Sequence, residues 1–231
     1  MTSIQARAIQ RGITRLCHFT PSRNLAHIMS DARGVLASRH LKEDESAIFH
    51  PTDKDRLDGH PDHVCCSIQY PNAWYFRQAR ASEILFLDWV VLLIRSHYLW
   101  QPGAKFCPRN AAAGHGRLVR GGLAGFDALF ASSVEGVQTY SRGPEHPDWL
   151  PTDEQAEVLI PDQIGFSDVY GFVVRDDSQA AREASRLNLI GVTVPRIVIV
   201  PEFFEPQVLS RRLRMGRVPS EREYQWGGVD A

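Results

Sequence analysis

A run of aliphatic and aromatic residues from 84 to 94 places the strongest constraint on the fold of this chain. Asp88 interrupts the run, which is too short to cross a bilayer, since a membrane-spanning helix takes about 20 apolar residues. The run is rich in leucine, valine and isoleucine, and at this length such a composition favours buried strands over a helix. We therefore expect one or two core strands here and a domain built around a sheet.

The other apolar patterns add more strands than helices. The sequence predicts further strands over residues 14–19, 64–70, 154–160, 169–174 and 190–200. It predicts helices over residues 23–31, 72–80, 126–131 and 177–189. Polar, glycine-rich or proline-rich segments are expected to form loops over residues 42–63, 101–125 and 132–152. Because apolar runs outnumber helices, we expect a sheet-centred α+β fold in a single domain that spans residues 1–231.

The composition excludes several classes of protein. The 231 residues are 43% hydrophobic and 23% charged, which is ordinary for a globular chain and unlike a disordered one. The formal net charge of -1 excludes a protein that coats nucleic acid through an overall basic charge. Any contact with nucleic acid must therefore come from a local basic patch.

The sequence also indicates a cytoplasmic location. Residues 1–15 lack the apolar stretch of a secretory signal, and we expect no membrane segment. The cysteines, which form no C-x-x-C pair, are Cys17, Cys65, Cys66 and Cys107. We therefore expect reduced thiols rather than a disulfide framework.

Common nucleotide and metal motifs are missing from the sequence. Neither a G-x-G-x-x-G turn after a strand nor a phosphate-binding P-loop occurs. His60, His63, Cys65 and Cys66 lie close together in sequence, but their spacing matches no common zinc pattern. Adjacent cysteines on a strand also point to opposite faces, so we predict no metal site.

Three separate features do suggest chemistry. His18 and Thr20 alternate on the first predicted strand, and Arg56 lies in the polar loop before the second. Glu157 stands in an apolar strand, where an ionised carboxylate is costly unless a polar cleft receives it. Each feature alone has a structural explanation, because histidines on strands and charged loop residues are common.

Taken together, these features resemble the DarT family of DNA ADP-ribosyltransferase toxins. The resemblance runs from His18 to Glu157, and the Gln-Ala-Glu element that ends at Glu157 is its most specific part. It implies a fold of two packed, mostly antiparallel sheets with flanking helices that holds NAD in a cleft. It implies a base of single-stranded DNA as the acceptor and a macrodomain-type antitoxin as a partner.

The resemblance also implies roles for particular residues. His18 and Thr20 match the NAD-binding strand of the family, Arg56 matches its loop arginine, and Glu157 matches its catalytic glutamate. On the second strand the family relatives often have tyrosine, whereas this chain has Ser67 with Tyr70 three residues later. We expect Ser67 and Tyr70 to contact the co-substrate, and Glu157 and Arg56 to be catalytic.

The loop before Glu157 is expected to recognise the acceptor. It occupies the place of the family's substrate-recognition loop, and its Tyr140, Arg142 and Trp149 have the side chains that stack on and pair with a single strand. A surface loop anchored by Trp149 explains the same residues equally well. The acceptor base is open at this point between thymine, guanine and a base of RNA.

Two further questions stay open from the sequence. The arginines near the C-terminus suggest phosphate binding, although a solvated helix is the more common explanation: Arg211, Arg212, Arg214, Arg217 and Arg222. Transfer to a protein side chain would use the same NAD site, and a non-catalytic nucleic-acid-binding module would need Glu157 only for structure. Release of nicotinamide from NAD separates the enzymes from the binding module.

Overall fold

The structure is a computed structural model that describes residues 3–43, 56–83, 85–136 and 138–227. The helices in these residues are α1 (Ile4–Gln10), α2 (Leu25–Ser30), α3 (Ser38–Glu43), α4 (Ala73–Ser82), α5 (Gly122–Ala128), α6 (Asp177–Leu189) and α7 (Pro206–Arg214). The strands are β1 (Arg15–Pro21), β2 (Val35–Leu36), β3 (His63–Ile68), β4 (Trp89–Arg95), β5 (Lys105–Cys107), β6 (Arg120–Gly121), β7 (Ser133–Val134), β8 (Tyr140–Ser141), β9 (Glu157–Pro161), β10 (Gln163–Ile164), β11 (Val169–Val174), β12 (Ile197–Ile199) and β13 (Arg222–Glu223). Among the described residues, no helix has the length and apolar character needed to span a membrane.

Nine of these strands form one sheet in the order β13-β12-β11-β4-β1-β3-β9-β5-β6. Within it, only β11 and β12 pair in parallel, and every other pair is antiparallel. Two small sheets pair β10 with β2 and β7 with β8. The predicted α+β class with mostly antiparallel strands is confirmed.

Strand β3 joins two halves of the large sheet because its two ends have different partners. Its last residues, Ser67 and Ile68, pair with β1, whereas residues 63–66 pair with β9. Apolar side chains from both halves, such as Leu92 on β4 and Val158 on β9, meet in one buried core. The two halves correspond to the two packed sheets that were expected, and β1 and β3 separate between them.

Local sequence signals account for the main helices. Asn72 caps α4, because its side-chain oxygen accepts a hydrogen bond from the Tyr75 backbone N–H at 3.1 Å. Asp176 caps α6 by accepting from the Gln179 N–H at 2.8 Å. Pro206 opens α7, where its missing N–H costs nothing. The α6 cap therefore lies one residue before the cap expected from the sequence.

Several predicted boundaries were wrong. The segment 101–125 was expected to be a loop, but it contains β5, β6 and the start of α5. The predicted strand 190–200 shrinks to β12, because a turn through Gly191 at φ +73° follows α6. Strand β4 begins at Trp89, and residue 84 lies outside the described residues, as do residues 44–55 of the predicted loop 42–63.

Candidate active site

The site lies where β1 separates from β3. In the pairing of β1 with β4, the Ser22 N–H donates to the Asp88 carbonyl at 2.9 Å, which identifies a hydrogen-bonded pair. Hydrogen-bonded pairs alternate with non-bonded pairs along an antiparallel ladder, so the backbone N–H and C=O of Phe19 point away from β4. They point to the side where β3 has already left after Cys17 pairs with Ser67. The gap therefore exposes a backbone donor and acceptor.

A cavity of about 300 Å³ fills this gap. Its walls come from β1, β3, α2, the start of α4 and the first residue of β9. A volume of this size lies at the lower end of the range for small-molecule sites. The predicted residues that line it are His18, Thr20, Arg56, Ser67 and Glu157.

Glu157 is the buried carboxylate of the cavity wall. Its Oε1 accepts a hydrogen bond from the Asn110 side-chain amide at 3.1 Å, and its Oε2 accepts from the Ala111 N–H at 3.0 Å. Its backbone pairs with Cys107 on β5, next to the segment that provides both donors. Two neutral donors fix the position of the carboxylate without neutralising its charge, so it can stabilise positive charge in the cavity.

His18 presents one ring nitrogen to the cavity. Its Nδ1 lies 2.8 Å from the Cys65 carbonyl oxygen, which can only accept, so Nδ1 carries the proton. Burial lowers the pKa of His18 below its ordinary value, the hydrogen bond to Cys65 opposes this shift, and the charge of Arg56 adds to it. The ring is therefore neutral at pH 7, and Nε2 is left as a hydrogen-bond acceptor.

Thr20 and Ser67 line the cavity with hydroxyl groups that already have protein partners. The Thr20 Oγ1 accepts from the Asn24 side chain at 2.8 Å. The Ser67 Oγ accepts from the Asn72 N–H at 3.2 Å and lies 3.4 Å from the Cys17 carbonyl oxygen. These contacts order the place where the two strands diverge.

Arg56 forms part of the cavity wall and is held firmly by the protein. Its Nε and Nη2 bind the two carboxylate oxygens of Asp58 at 3.1 and 2.8 Å. Its Nη1 donates to the His63 carbonyl at 2.6 Å and to the Ser38 hydroxyl at 3.2 Å, and its Nη2 also donates to the His60 carbonyl. Sequence reasoning missed the partner, although Asp58 lies in the same polar loop.

Asp58 remains ionised beside this guanidinium. Burial alone raises the pKa of Asp58, but the hydrogen bond and charge of Arg56 and the His60 N–H outweigh it. The pKa of Asp58 therefore lies below its ordinary value. The pair presents a fixed guanidinium charge, balanced by a carboxylate, to the cavity.

Tyr70 does not line this cavity, so its predicted contact with the co-substrate has no geometric support. It packs in a second core on the other side of the sheet, with its ring 5.4 Å from that of Trp149 and 5.7 Å from that of Phe203. The cause is Gln69, whose φ of +64° turns the chain directly after β3. The tyrosine in the cavity wall is Tyr75 on α4. Its position in the first turn after the Asn72 cap was the signal available in the sequence.

The three predicted acceptor-binding residues lie outside the cavity and hold the loop 132–152 together. The Arg142 guanidinium donates to the Leu150 and Pro147 carbonyls at 2.8 Å each. The Tyr140 ring lies 5.1 Å below the Arg214 guanidinium, and Trp149 packs against both cores. These contacts match the anchored-loop alternative.

One part of this loop approaches the site. The Arg109 guanidinium donates to the Glu135 carbonyl at 3.1 Å, and a Cβ on Gly136 would lie 2.2 Å from Arg109. Arg109 directly precedes Asn110, which binds Glu157. The β7–β8 hairpin therefore packs beside the glutamate.

One potential metal cluster occurs among the described residues: His60, Asp62 and His63, with ligand atoms within 4.8 Å of one another. The cysteines considered from the sequence are not part of it. Lys105 Nζ lies 3.3 Å from His60 Nδ1, and His63 Nε2 lies 3.3 Å from the Gly103 carbonyl. An ammonium group beside one ligand nitrogen opposes a second cation, so we assign no metal here.

Comparisons with known proteins agree with this geometry. A family model described as "ssDNA thymidine ADP-ribosyltransferase, DarT" matches residues 17–205, a range that contains His18, Arg56 and Glu157. No curated protein matches the chain.

Solved structures show the same fold. Thermus sp. 2.9 DarT in complex with NAD+ is 14% identical, with a TM-score of 0.54 over 83% of this chain and 97% of that one. The same Thermus protein in complex with ADP-ribosylated ssDNA is 15% identical, with a TM-score of 0.51 over 84% and 97%. Thermosipho africanus DarTG in complex with ADP-ribose is 14% identical, with a TM-score of 0.53 over 82% of this chain. This chain spans only 50% of the Thermosipho chain.

The family match covers most of the chain and includes the strand, the loop arginine and the glutamate that surround the cavity. The chain belongs to the DarT family of ADP-ribosyltransferases.

Proposed function

We propose that this chain transfers ADP-ribose from NAD to a thymine base of single-stranded DNA. The observation that carries the proposal is Glu157, a fixed carboxylate in the wall of the cavity that the opened edge of β1 also lines. The match to a family of ssDNA thymidine ADP-ribosyltransferases supports the choice of acceptor.

The β1 edge has the groups needed to hold the nicotinamide end of NAD. A carboxamide offers both a donor and an acceptor, and the backbone C=O and N–H of Phe19 complement them. The His18 Nε2 accepts a hydrogen bond from a ribose hydroxyl, because its other nitrogen is committed to Cys65. Thr20 and Ser67 complete the polar wall.

Glu157 supplies the charge that the reaction needs. The bond between nicotinamide and ribose breaks as a new bond forms between the same ribose carbon and a nitrogen of the base. Positive charge develops on the ribose during this exchange, and a carboxylate hydrogen-bonded to a ribose hydroxyl stabilises it. Asn110 and Ala111 keep that carboxylate in position before the substrate arrives.

Arg56 assists the acceptor side of the reaction. The attacking base nitrogen loses its proton, and a nearby guanidinium stabilises the negative charge that this leaves on the base. The contacts of Arg56 with Asp58 and three other groups mean that it acts as a fixed charge. Tyr140, Arg142 and Trp149 serve acceptor recognition by ordering the loop before Glu157.

The partner and the location follow from the same activity. The reaction damages DNA, so we propose that the protein acts as a toxin and that a macrodomain-type antitoxin counteracts it. The Thermosipho structure is that of a DarTG protein, which supports such a pairing. NAD and single-stranded DNA are both cytoplasmic, so we propose the cytoplasm as its location.

Mass spectrometry of oligonucleotides tests the proposal. Single-stranded DNA of four compositions, each lacking one base, and an RNA of matched sequence are incubated with the protein and NAD. We expect ADP-ribose on every DNA that contains thymine and none on the DNA that lacks it. Modification of another base or of RNA would contradict the assigned acceptor. Failure to release any nicotinamide would contradict the enzyme itself.

A further inference from the structure

A second feature beside the cavity is a segment with positive charge and no acidic residue. The sequence contains no Asp or Glu between Asp88 and Asp127. Within this span, residues 108–121, here called the basic segment, carry Arg109, Arg117 and Arg120. The whole chain has a formal net charge of -1, so this concentration of positive charge is local.

The basic segment runs along the cavity from Glu157 to Asp58. At one end, Asn110 and Ala111 bind the Glu157 carboxylate. At the other end, the Gly116 backbone approaches Asp58 so closely that a Cβ on Gly116 would lie 2.1 Å from the Asp58 carbonyl oxygen. Consecutive Cα atoms are about 3.8 Å apart, so Arg117 begins directly beside this contact.

The exposed arginines of the segment bind only backbone carbonyls within the described residues. The Arg117 Nε donates to the Gly114 carbonyl at 3.2 Å. The Arg120 Nη1 donates to the Arg117 carbonyl at 2.7 Å and to the Val119 carbonyl at 2.8 Å. These bonds fix part of each guanidinium and leave its other N–H groups in solvent, with the positive charge uncompensated.

The arginines near the C-terminus provide a contrast. Arg212, Arg214 and Arg222 each pair with a carboxylate, at 3.7, 2.5 and 2.6 Å. Most of that cluster is therefore neutralised within the protein, as the solvated-helix explanation expected. Arg211 and Arg217 are exposed, do not line the cavity and form no ion pair in the described residues.

We propose that the basic segment binds the phosphate backbone of the single-stranded DNA acceptor, with Arg117 and Arg120 as the phosphate-binding residues. The inference rests on the proposed function and specifies the side of the cavity on which the strand lies. Guanidinium groups match the geometry of phosphate oxygens, and an acid-free stretch does not repel them. Backbone contacts here would hold the nucleotide next to Glu157 without reading its sequence.

The test compares two double variants that remove the same charge. Arg117→Gln/Arg120→Gln removes the proposed phosphate contacts, and Arg211→Gln/Arg217→Gln is the matched control. The affinity for a fluorescent thymine-containing single-stranded DNA is measured over a series of sodium chloride concentrations. Each lost phosphate contact lowers the salt dependence, log K against log salt, by about 0.7 for a single strand, so the first variant should lose about 1.4 in slope.

Two further measurements separate phosphate binding from a change in structure. The affinity for NAD and the release of nicotinamide without DNA should match the wild type in both variants. Arg117→Lys/Arg120→Lys should recover most of the salt dependence, because it restores the charge.

The outcomes distinguish this inference from the proposed function. An unchanged slope in the Arg117→Gln/Arg120→Gln variant, or an equal loss in the control, would overturn the phosphate assignment while the wild type still modifies DNA. A wild-type protein that neither binds the oligonucleotide nor consumes NAD would instead contradict the proposed function on which the inference rests.

Discussion

The surroundings of Arg56 determine how its role can be tested. Arg56 and Asp58 are both buried and bind each other through two contacts. We predict that Arg56→Ala lowers the free energy of unfolding by about 3–5 kcal/mol, because the Asp58 carboxylate stays buried without its partner. Denaturation in urea measures this change, and the double variant Arg56→Ala/Asp58→Ala should recover part of it. A loss below about 1 kcal/mol would indicate a solvated pair instead.

The lowered pKa of Asp58 predicts a specific dependence of stability on pH. A carboxylate with a depressed pKa in the folded state contributes stability above its unfolded pKa and loses it as the pH falls through the folded value. We therefore expect the contribution of Asp58 to be complete at neutral pH and to decline below about pH 4. Urea denaturation of wild type and Asp58→Asn as a function of pH tests this. The difference between the two proteins should shrink in acid, and a constant difference would contradict the pairing.

His18 is predicted to affect the binding of NAD more than the fold. His18→Ala removes the Nε2 acceptor, and a neutral hydrogen bond of about 0.5–1.5 kcal/mol corresponds to an affinity loss of about twofold to tenfold. Calorimetric titration with NAD measures the loss. His146→Ala is the control, since that ring also contacts backbone carbonyls but lies outside the cavity. Equal affinity in folded His18→Ala would remove His18 from the NAD site.

At the scale of elements, the basic segment depends on one glycine. Gly116 has a φ of +73° and touches the Asp58 backbone, whereas a Cβ on Gly114 would meet only the Leu118 side chain at 3.9 Å. We predict that Gly116→Ala lowers the unfolding free energy by about 1–3 kcal/mol and slows transfer, because the segment moves away from Asp58. Gly114→Ala should do neither. Urea denaturation and transfer rates of the two variants provide the comparison, and equal effects would show that the contact is unimportant.

The loop 132–152 shows how a prediction from residue types can have the right place and the wrong role. Tyr140, Arg142 and Trp149 suggested stacking on nucleic acid, but their contacts are with Arg214, with the loop's own carbonyls and with the two cores. The side chains that hold a loop together are the same types that bind single strands. The sequence alone could not separate the two roles.

At the scale of the whole molecule, the long strands were predictable and the short ones were not. Strands such as β1, β3, β4 and β11 have six or seven residues, which is enough for an apolar pattern. The strands β5, β6, β7 and β8 have two or three residues and lie in glycine-rich or polar segments. Their pairing depends on distant partners, so no local pattern marks them.

The same reasoning explains what could be predicted of the candidate site. His18, Thr20, Ser67, Arg56 and Glu157 come from separate parts of the sequence, and the divergence of β1 from β3 brings them to one cavity. Asn110 and Asp58 were missed because they act through Glu157 and Arg56. Tyr70 was misplaced because the left-handed conformation of Gln69 breaks the alternation of the strand.

The central claim is that the Glu157 carboxylate drives ADP-ribosyl transfer in this cavity. Glu157→Gln keeps the shape of the side chain and removes its charge, so it should bind NAD with nearly wild-type affinity. The decisive measurement is the mass-spectrometric rate of ADP-ribose addition to a thymine-containing single-stranded DNA by the two proteins. We predict a rate at least about a hundredfold lower for Glu157→Gln, the scale expected when one such electrostatic group is lost. A near-wild-type rate in the folded, NAD-binding variant would contradict the claim.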